Sequence, residues 1–318
     1  MKAYITGICG FAGSWLAEEL LNHGYYVRGA ALPGESDVNL RHIPHKIIID
    51  RFDITDPKSC KDILSRAKPD YLFHLAAMAS VGKSFIEAEK TFKVNVIGTT
   101  NIFEAIKNKS WLKRLIFISS SDVYGLVKPN DLPLKPTQIP NPINPYAQSK
   151  VAGEYLSTIY FGQFGAPIII VRAFNHTGPG QTPDFAIPAF SRKIAKAEIS
   201  RKNGIITVGN LSARRDLSDV RDIVRGYRMI AEKGRSGEIY QLCSGRDYQI
   251  GVLLKKLIEL SDKPIRIKKD KKLFRKIDLP VLRGSYHKVK KEIGWKPEIP
   301  LKMTLKDTLE YWRERVNR

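Results

Sequence analysis

Over the first 172 residues, short apolar runs rich in β-branched side chains alternate with longer stretches in which apolar positions recur at helical spacing. The runs Lys2–Thr6, Tyr25–Ala31, Lys46–Asp50, Asp70–Ala76, Arg114–Ser119 and Pro167–Arg172 predict strands. The stretches near Ala12–Asn22, Asp56–Ala67, Glu87–Lys107 and Tyr146–Phe161 predict helices between them. Leu16, Leu20 and Leu21 follow i, i+4, i+5 spacing, which lays one apolar stripe against a sheet. Such strict alternation is the pattern of an α/β fold, a doubly wound parallel sheet covered by helices on both faces.

Between the fifth strand and the Tyr146 helix, Pro129, Pro133, Pro136, Pro140, Pro142 and Pro145 crowd the stretch from Lys128 to Pro145, so a loop is predicted there, beside any site at the sheet edge. Beyond residue 172 the alternation fades. Helical patterns at Phe185–Ala197, Asp219–Glu232, Gly251–Leu260 and Thr304–Arg315 mix with short strands near Ile205–Val208 and Glu238–Leu242. We therefore expect a Rossmann-type dinucleotide-binding domain of residues 1–172 plus about 212–244. A smaller α/β substrate-binding domain of about 173–211 plus 245–318 would lie over the carboxyl edge of the sheet. No internal repeat interrupts this plan.

The length of 318 residues suits two such units, and 43% hydrophobic with 27% charged residues is ordinary globular usage. No apolar run approaches the roughly 18 residues of a membrane span. The first strand begins almost at Met1, leaving no room for a signal peptide, so a cytoplasmic location is expected. Cys9, Cys60 and Cys243 are scattered, without a CxxC pair or a neighbouring His at ligand spacing; they predict buried thiols and no metal site. A net charge of +21 favours anionic partners such as nucleotides or nucleic acid. The lysine runs are short and dispersed, however, with no interleaved aromatic residues to stack bases, so a nucleic-acid-binding protein on this fold is the lesser reading.

Chemistry first shows in Thr6-Gly7-Ile8-Cys9-Gly10-Phe11-Ala12-Gly13, between the first strand and the first helix. There a dinucleotide pyrophosphate can rest on helix N-terminal amides, and glycines are required where a Cβ would meet the phosphate or the crossing helix. An acidic residue closing the second strand would select NAD, and an Arg would accommodate the extra phosphate of NADP. That strand ends Gly29-Ala30-Ala31-Leu32 and carries neither marker. Asp53, after the third strand, is placed either to reach the adenine amine or to cap the turn at Ile54–Asp56.

A Tyr four residues before a Lys on a helix puts both side chains on one face, where the ammonium can favour phenolate and ease proton transfer. The spacing occurs at Tyr124/Lys128, Tyr146/Lys150 and Tyr286/Lys290. The first straddles Gly125 and precedes Pro129, unsuited to a helix. The third lies beyond the sheet pattern and reads as a solvated face. Tyr146/Lys150 follows Pro145, a good first-turn residue, and comes after a strand ending Ile118-Ser119-Ser120-Ser121-Asp122. Tyr146 and Lys150 are the expected catalytic pair.

With these motifs the chain resembles, over essentially its whole length, the extended short-chain dehydrogenase/reductase superfamily acting on nucleotide sugars. Besides the glycine loop and Tyr146–Lys150, the likeness rests on His74-Leu75-Ala76-Ala77, Asn95, Ser119–Gly125 and Arg215-Asp216-Leu217. Arg172–Gln181, Val208-Gly209-Asn210-Leu211 and Gly294-Trp295-Lys296-Pro297 are similar to the GDP-hexose branch, closest to the GDP-4-keto-6-deoxymannose reductases. The resemblance implies reduction of a 4-ketosugar with a nicotinamide cofactor, NADP(H) favoured and NAD(H) possible. Ser120 would hold the sugar O4, Tyr146 would protonate it, and Lys150 would bind the nicotinamide ribose. It also implies cofactor contacts from Gly7, Gly10, Phe11, Ala12, Gly13, Asp53, Ile54, Leu75, Ala76, Ala77, Asn95 and His176. Substrate contacts would come from Ser80, Asn175, Asn210, Arg215 and Arg275, with Asn175 and Arg215 on the diphosphate and Arg275 a second clamp. Pairing through Glu87–Lys107 and Tyr146–Phe161 implies a homodimer.

Two departures bear on this. Leu32 stands where NADP-using relatives often have Arg, and Arg275 is followed by Lys276-Ile277 in place of the usual Pro-Ser. The sister GDP-mannose 4,6-dehydratases usually carry Thr and Glu where this chain has Ser120 and Asp122. Asp122, one methylene shorter, keeps a dehydratase as the runner-up to a reductase. A UDP-hexose 4-epimerase shares the same Ser, Tyr and Lys and is the third reading.

Overall fold

In the computed structural model, which describes residues 1–43, 47–200, 204–274 and 279–316, the chain opens with β1 (Lys2–Thr6), α1 (Phe11–Asn22), β2 (Tyr26–Ala31) and β3 (Ile48–Arg51). The predicted third strand thus begins later than its pattern, and Lys46 lies outside the described residues. There follow α2 (Pro57–Ala67), β4 (Tyr71–His74), the short α3 (Val81–Ser84), α4 (Ala88–Phe92) and α5 (Gly98–Ile106). After β5 (Arg114–Ser120) come α6 (Pro145–Phe164) and β6 (Ile168–Ala173). The later elements are β7 (Asn175–Thr177), α7 (Ala186–Ile199), β8 (Gly204–Val208), β9 (Arg214–Asp219), α8 (Val220–Lys233) and β10 (Ile239–Leu242). The chain ends through β11 (Asp247–Gln249), α9 (Ile250–Ile258), β12 (Ile265–Lys269), β13 (Val281–Leu282), α10 (His287–Ile293) and α11 (Leu301–Val316).

A seven-stranded sheet in the order β10-β6-β5-β4-β1-β2-β3 is parallel throughout, as the alternation requires. Its centre is apolar on both faces because helices cover both. On one side Ile5, Phe73, Ile116 and Val171 pack with Leu16 and Leu20 of α1 and Ile223 and Tyr227 of α8. On the other, Tyr4, Leu72, Leu115 and Ile168 pack with Leu64 of α2, Phe103 of α5 and Tyr160 of α6. A separate core of Ile194, Ile206, Leu253, Leu257 and Leu309 joins α7, β8, α9 and α11.

Two predicted elements differ in detail. The Glu87–Lys107 pattern is interrupted by a π-helical turn, Lys93–Ile97, which points Asn95 inward. Asn95 there grips Met78, accepting from its amide at 2.7 Å and donating to its carbonyl at 3.1 Å, and donates to Ser149 Oγ at 2.9 Å. The fourth strand stops at His74 because the next residues leave the ladder: the Ala76 amide donates to Thr6 Oγ1 at 3.1 Å. Tyr286 is no solvated face; it packs edge-on against buried Trp295.

β7 pairs with β9, which also borders β11 and β13, and β8 pairs with β12. Of these only β8 was legible. The segment Arg-Arg-Asp-Leu-Ser-Asp of β9 carries no apolar alternation, and its neighbours are two to three residues long. No helix among the described residues is long and apolar enough to cross a membrane.

Candidate active site

Gly7 leaves β1 with φ +74°, and a Cβ there would sit 3.1 Å from the backbone of Ala76. At Gly13 a Cβ would lie 2.1 Å from the Gly7 carbonyl oxygen, so the helix crosses the loop only because both are glycine. Gly10 is the N-cap of α1, and no side chain occupies its first amides. The cradle therefore fits a dinucleotide pyrophosphate: close backbone, open helix N-terminus, no obstructing Cβ.

In front of it opens a cavity of about 350 Å³ at the carboxyl edge of the sheet. Gly7, Gly10, Phe11, Ala12 and Gly13 form one wall, and Leu75 and Ala77 join it. Ser120, Asp122, Tyr146 and Lys150 stand at another, and Ser80, Asn175, His176 and Arg215 also line the cavity. The Phe11 ring stacks on His176 at 6.0 Å, and His176 Nδ1 lies 2.9 Å from the Phe174 carbonyl oxygen. Burial lowers the His176 pKa, favouring the neutral ring.

The proton-transfer residues are assembled by one helix and one strand end. Asn144 caps α6 by accepting from the Ala147 amide at 2.8 Å, and Pro145 occupies the first turn. Tyr146 and Lys150 then face the end of β5. The Lys150 ammonium donates to the Ile118 carbonyl at 2.8 Å and sits 5.4 Å above the Phe117 ring. Ser120 Oγ accepts from the Asp122 amide at 3.1 Å and stands beside the Tyr146 phenol.

Burial pulls the Lys150 pKa down to about 8, with the Glu154 charge opposing it. Burial pushes the Tyr146 phenol well above its ordinary range, the Asp122 charge adds to this, and the neighbouring Ser120 hydroxyl opposes it. The ammonium alone would favour phenolate; desolvation outweighs it and keeps Tyr146 a phenol.

Of the other expected site residues, Asp53, Ile54, Ala76, Asn95 and Asn210 are not among those lining this cavity. Asp53 caps its own turn, its Oδ1 accepting from the Thr55 amide at 2.8 Å, and Ile54 is buried against Gly98. Asn95 holds the Met78 backbone and Ser149, as described, and Ala76 backs the glycine loop. Asn210 Oδ1 accepts from Ser212 N at 2.9 Å in a local turn. Arg215 Nη1 donates to the Leu279 carbonyl at 2.6 Å at the cavity wall, and Arg275 lies outside the described residues. Neighbouring Asp216 is buried and accepts from Ser244, Gly245 and Gly284 backbone amides, pinning β9 beneath the site.

Two features had no signal in the sequence pattern. Val81, Phe85, Asp184 and Phe185 also line the cavity, and Lys83 pairs with Asp184 at 2.8 Å across 101 residues of chain. At the end of β2, Glu35 Oε2 accepts from the Leu32 amide at 3.0 Å. Arg51 donates there to the Leu32 carbonyl at 3.3 Å and to the Glu35 carbonyl. An acid and a guanidinium thus share the place where the strand itself offered neither.

Fold and site together define an extended short-chain dehydrogenase/reductase, an enzyme class built on this sheet, glycine loop and Tyr–Lys helix. Within it the chain belongs to the GDP-mannose 4,6 dehydratase family, whose model matches residues 4–308. It is 32% identical to the GDP-6-deoxy-D-mannose reductase of Pseudomonas aeruginosa, over 99% of this chain and 98% of that protein. The structure of RMD from Pseudomonas aeruginosa complexed with NADPH superposes with a TM-score of 0.86, at 32% identity and 99% coverage of both chains. UDP-glucose 4-epimerase of Thermotoga maritima, solved with UDP-glucose, gives 0.87 at 30% identity, covering 99% of this chain and 100% of its own.

Proposed function

We propose that the protein is an NADPH-dependent reductase of a nucleotide-linked 4-ketohexose, with GDP-4-keto-6-deoxy-D-mannose as substrate. The observation that carries this reading is Tyr146: a phenol held protonated, beside Ser120, and lining one cavity with the glycine cradle. A ketone reductase needs a proton donor at that point.

The nicotinamide cofactor, when bound, supplies the hydride. Ser120 orients the C4 oxygen of the sugar, and Tyr146 gives its proton to that oxygen as negative charge develops there. Lys150, charged below about pH 8, stabilises the phenolate left behind. Arg215 holds the substrate diphosphate, where a guanidinium gives paired charge-assisted hydrogen bonds. Arg51, the last residue of β3, whose guanidinium reaches the end of β2, supports NADPH over NADH. The division into residues 1–172 plus about 212–244 and the remainder is supported by β10, which joins the main sheet while β8 and β12 form their own.

A homodimer is part of the same proposal. Phe92 and Ile97 stand exposed on turns that contact α6, and Tyr155 and Ile159 stand exposed on α6 itself, so apolar side chains are presented by neighbouring helices. The three cysteines are free and buried, in keeping with a reducing cytoplasm.

A second reading, dehydration of GDP-mannose, is favoured by the Asp122 carboxylate on the cavity wall beside Tyr146. Offering NADPH and then NADH with GDP-4-keto-6-deoxymannose, while following nicotinamide absorbance, tests the first. Consumption of neither cofactor refutes a reductase. Conversion of GDP-mannose to its keto product without net cofactor use establishes the dehydratase.

A further inference from the structure

Behind the cavity lies a buried ion pair that the proton-transfer steps do not use. Glu154, one turn beyond Lys150 on α6, is 5% exposed, and Arg172 of β6 is 2% exposed. The pair is bidentate: Arg172 Nε donates to Oε1 at 2.9 Å and Nη2 to Oε2 at 2.7 Å. Oε1 also accepts the Ser119 hydroxyl at 2.5 Å. On its far side Arg172 Nη1 donates to Tyr124 Oη at 2.9 Å and to the carbonyls of Pro136 at 3.1 Å and Gln138 at 3.3 Å.

Two consecutive residues of β5 are thus held by successive turns of α6: the Ile118 carbonyl accepts from Lys150 and the Ser119 hydroxyl donates to Glu154, with Ser120 next along the strand beside Tyr146. Through Arg172 the same carboxylate reaches the proline-rich segment, which returns to the cavity at Ile143 and Asn144. A buried ion pair contributes little to stability over an apolar pair of equal volume, so stability alone gives no account of it.

We propose that Glu154, with Arg172 as its counter-ion, is a positioning residue that fixes the Ser120 strand end against the Tyr146–Lys150 helix and ties both to the proline-rich cavity wall. This rests on reading Tyr146 and Lys150 as the proton-transfer pair. Its charge also acts on Lys150, which in turn acts on His74 of β4, while the titratable Asp122, Tyr146 and Tyr227 line the same cavity as the lysine and Arg172 faces Glu154. Burial holds His74 neutral, with its pKa lowered to about 3. Glu154 is the anion that supports the charged lysine.

The test uses Glu154→Leu combined with Arg172→Met, which removes both charges while keeping the volume filled. Circular dichroism and the melting temperature establish that it folds. We expect kcat to fall on the order of tenfold to a hundredfold, the scale of a small misplacement of reacting groups. Competitive acetylation of Lys150, read by mass spectrometry across the alkaline range, should titrate below the wild-type value of about 8. That labelling needs no substrate, so it decides the inference even if the substrate assignment fails. A folded double variant with wild-type kcat and an unmoved Lys150 titration overturns it. Should the double variant not fold, Ser119→Ala removes only the hydroxyl link: a lowered kcat at unchanged KM supports the inference, and wild-type kcat overturns it.

Discussion

Lys150 donates to the Ile118 carbonyl at 2.8 Å from a position one helical turn past Tyr146, yet burial draws its pKa from 10.5 down to about 8. The folded protein therefore holds a charged amine where a neutral one would be easier to hold, and stability bears the cost. The penalty is complete below about pH 8, where the lysine is charged both folded and unfolded. It shrinks as pH rises toward 10.5, because only the unfolded chain still binds the proton. Its size at neutral pH is about 3 kcal/mol, an order-of-magnitude figure. Lys150→Met should raise the melting temperature at pH 7 and abolish turnover. A variant that melts lower shows the ammonium to be a net structural support.

The same titration shapes the rate. If charged Lys150 is needed to stabilise the Tyr146 phenolate, kcat should decline as pH rises through about 8. A pH profile flat to pH 10 would remove the lysine from the proton-transfer step.

Tyr146→Phe keeps the ring and deletes the proton. The expected loss in kcat is ~10²–10⁴-fold, the usual contribution of a positioned acid. NADPH binding, followed by fluorescence titration, should persist, so a variant that loses turnover and cofactor binding together would point to damage of the fold.

How far the sequence reaches is clear from these residues. The glycine loop and the Tyr–Lys helix were legible because their requirements are local: a positive φ at Gly7, a missing Cβ at Gly13, an i, i+4 spacing after Pro145. Glu154 and Arg172 lie 18 residues apart on a helix and a strand, and no periodicity marks their pairing. The end of β2 was illegible for a related reason. Leu32 offers no charge of its own, and Glu35 and Arg51 arrive there by a loop folding back and by register with the neighbouring strand, where Ala31 faces Arg51.

Homodimer formation has a direct check. If the exposed side chains of α6 are buried between two copies, Tyr155→Glu with Ile159→Lys should give monomers by light scattering while the isolated fold is retained. Both are more than half exposed in the single chain, at 63% and 52%, so little stability should be lost. Dimers that survive both charges would place the interface elsewhere.

Cofactor choice turns on Arg51. Its guanidinium lies over the end of β2, bonded to backbone carbonyls that leave its charge uncompensated by them, and the Glu35 carboxylate is engaged by the Leu32 amide close by. A 2′-phosphate on the adenosine ribose would meet this cation, whereas a bare hydroxyl would gain little from it. Hydrogen bonds to charged groups contribute ~1.5–3 kcal/mol, or roughly tenfold to a hundredfold in affinity. Arg51→Ala should therefore weaken 2′,5′-ADP binding by about that factor and leave 5′-AMP binding nearly unchanged, as measured by calorimetry. Equal weakening of both nucleotides would mean that Arg51 only supports the loop, and equal affinity of the wild-type protein for both would assign the site to NADH, with Glu35 receiving the ribose hydroxyls.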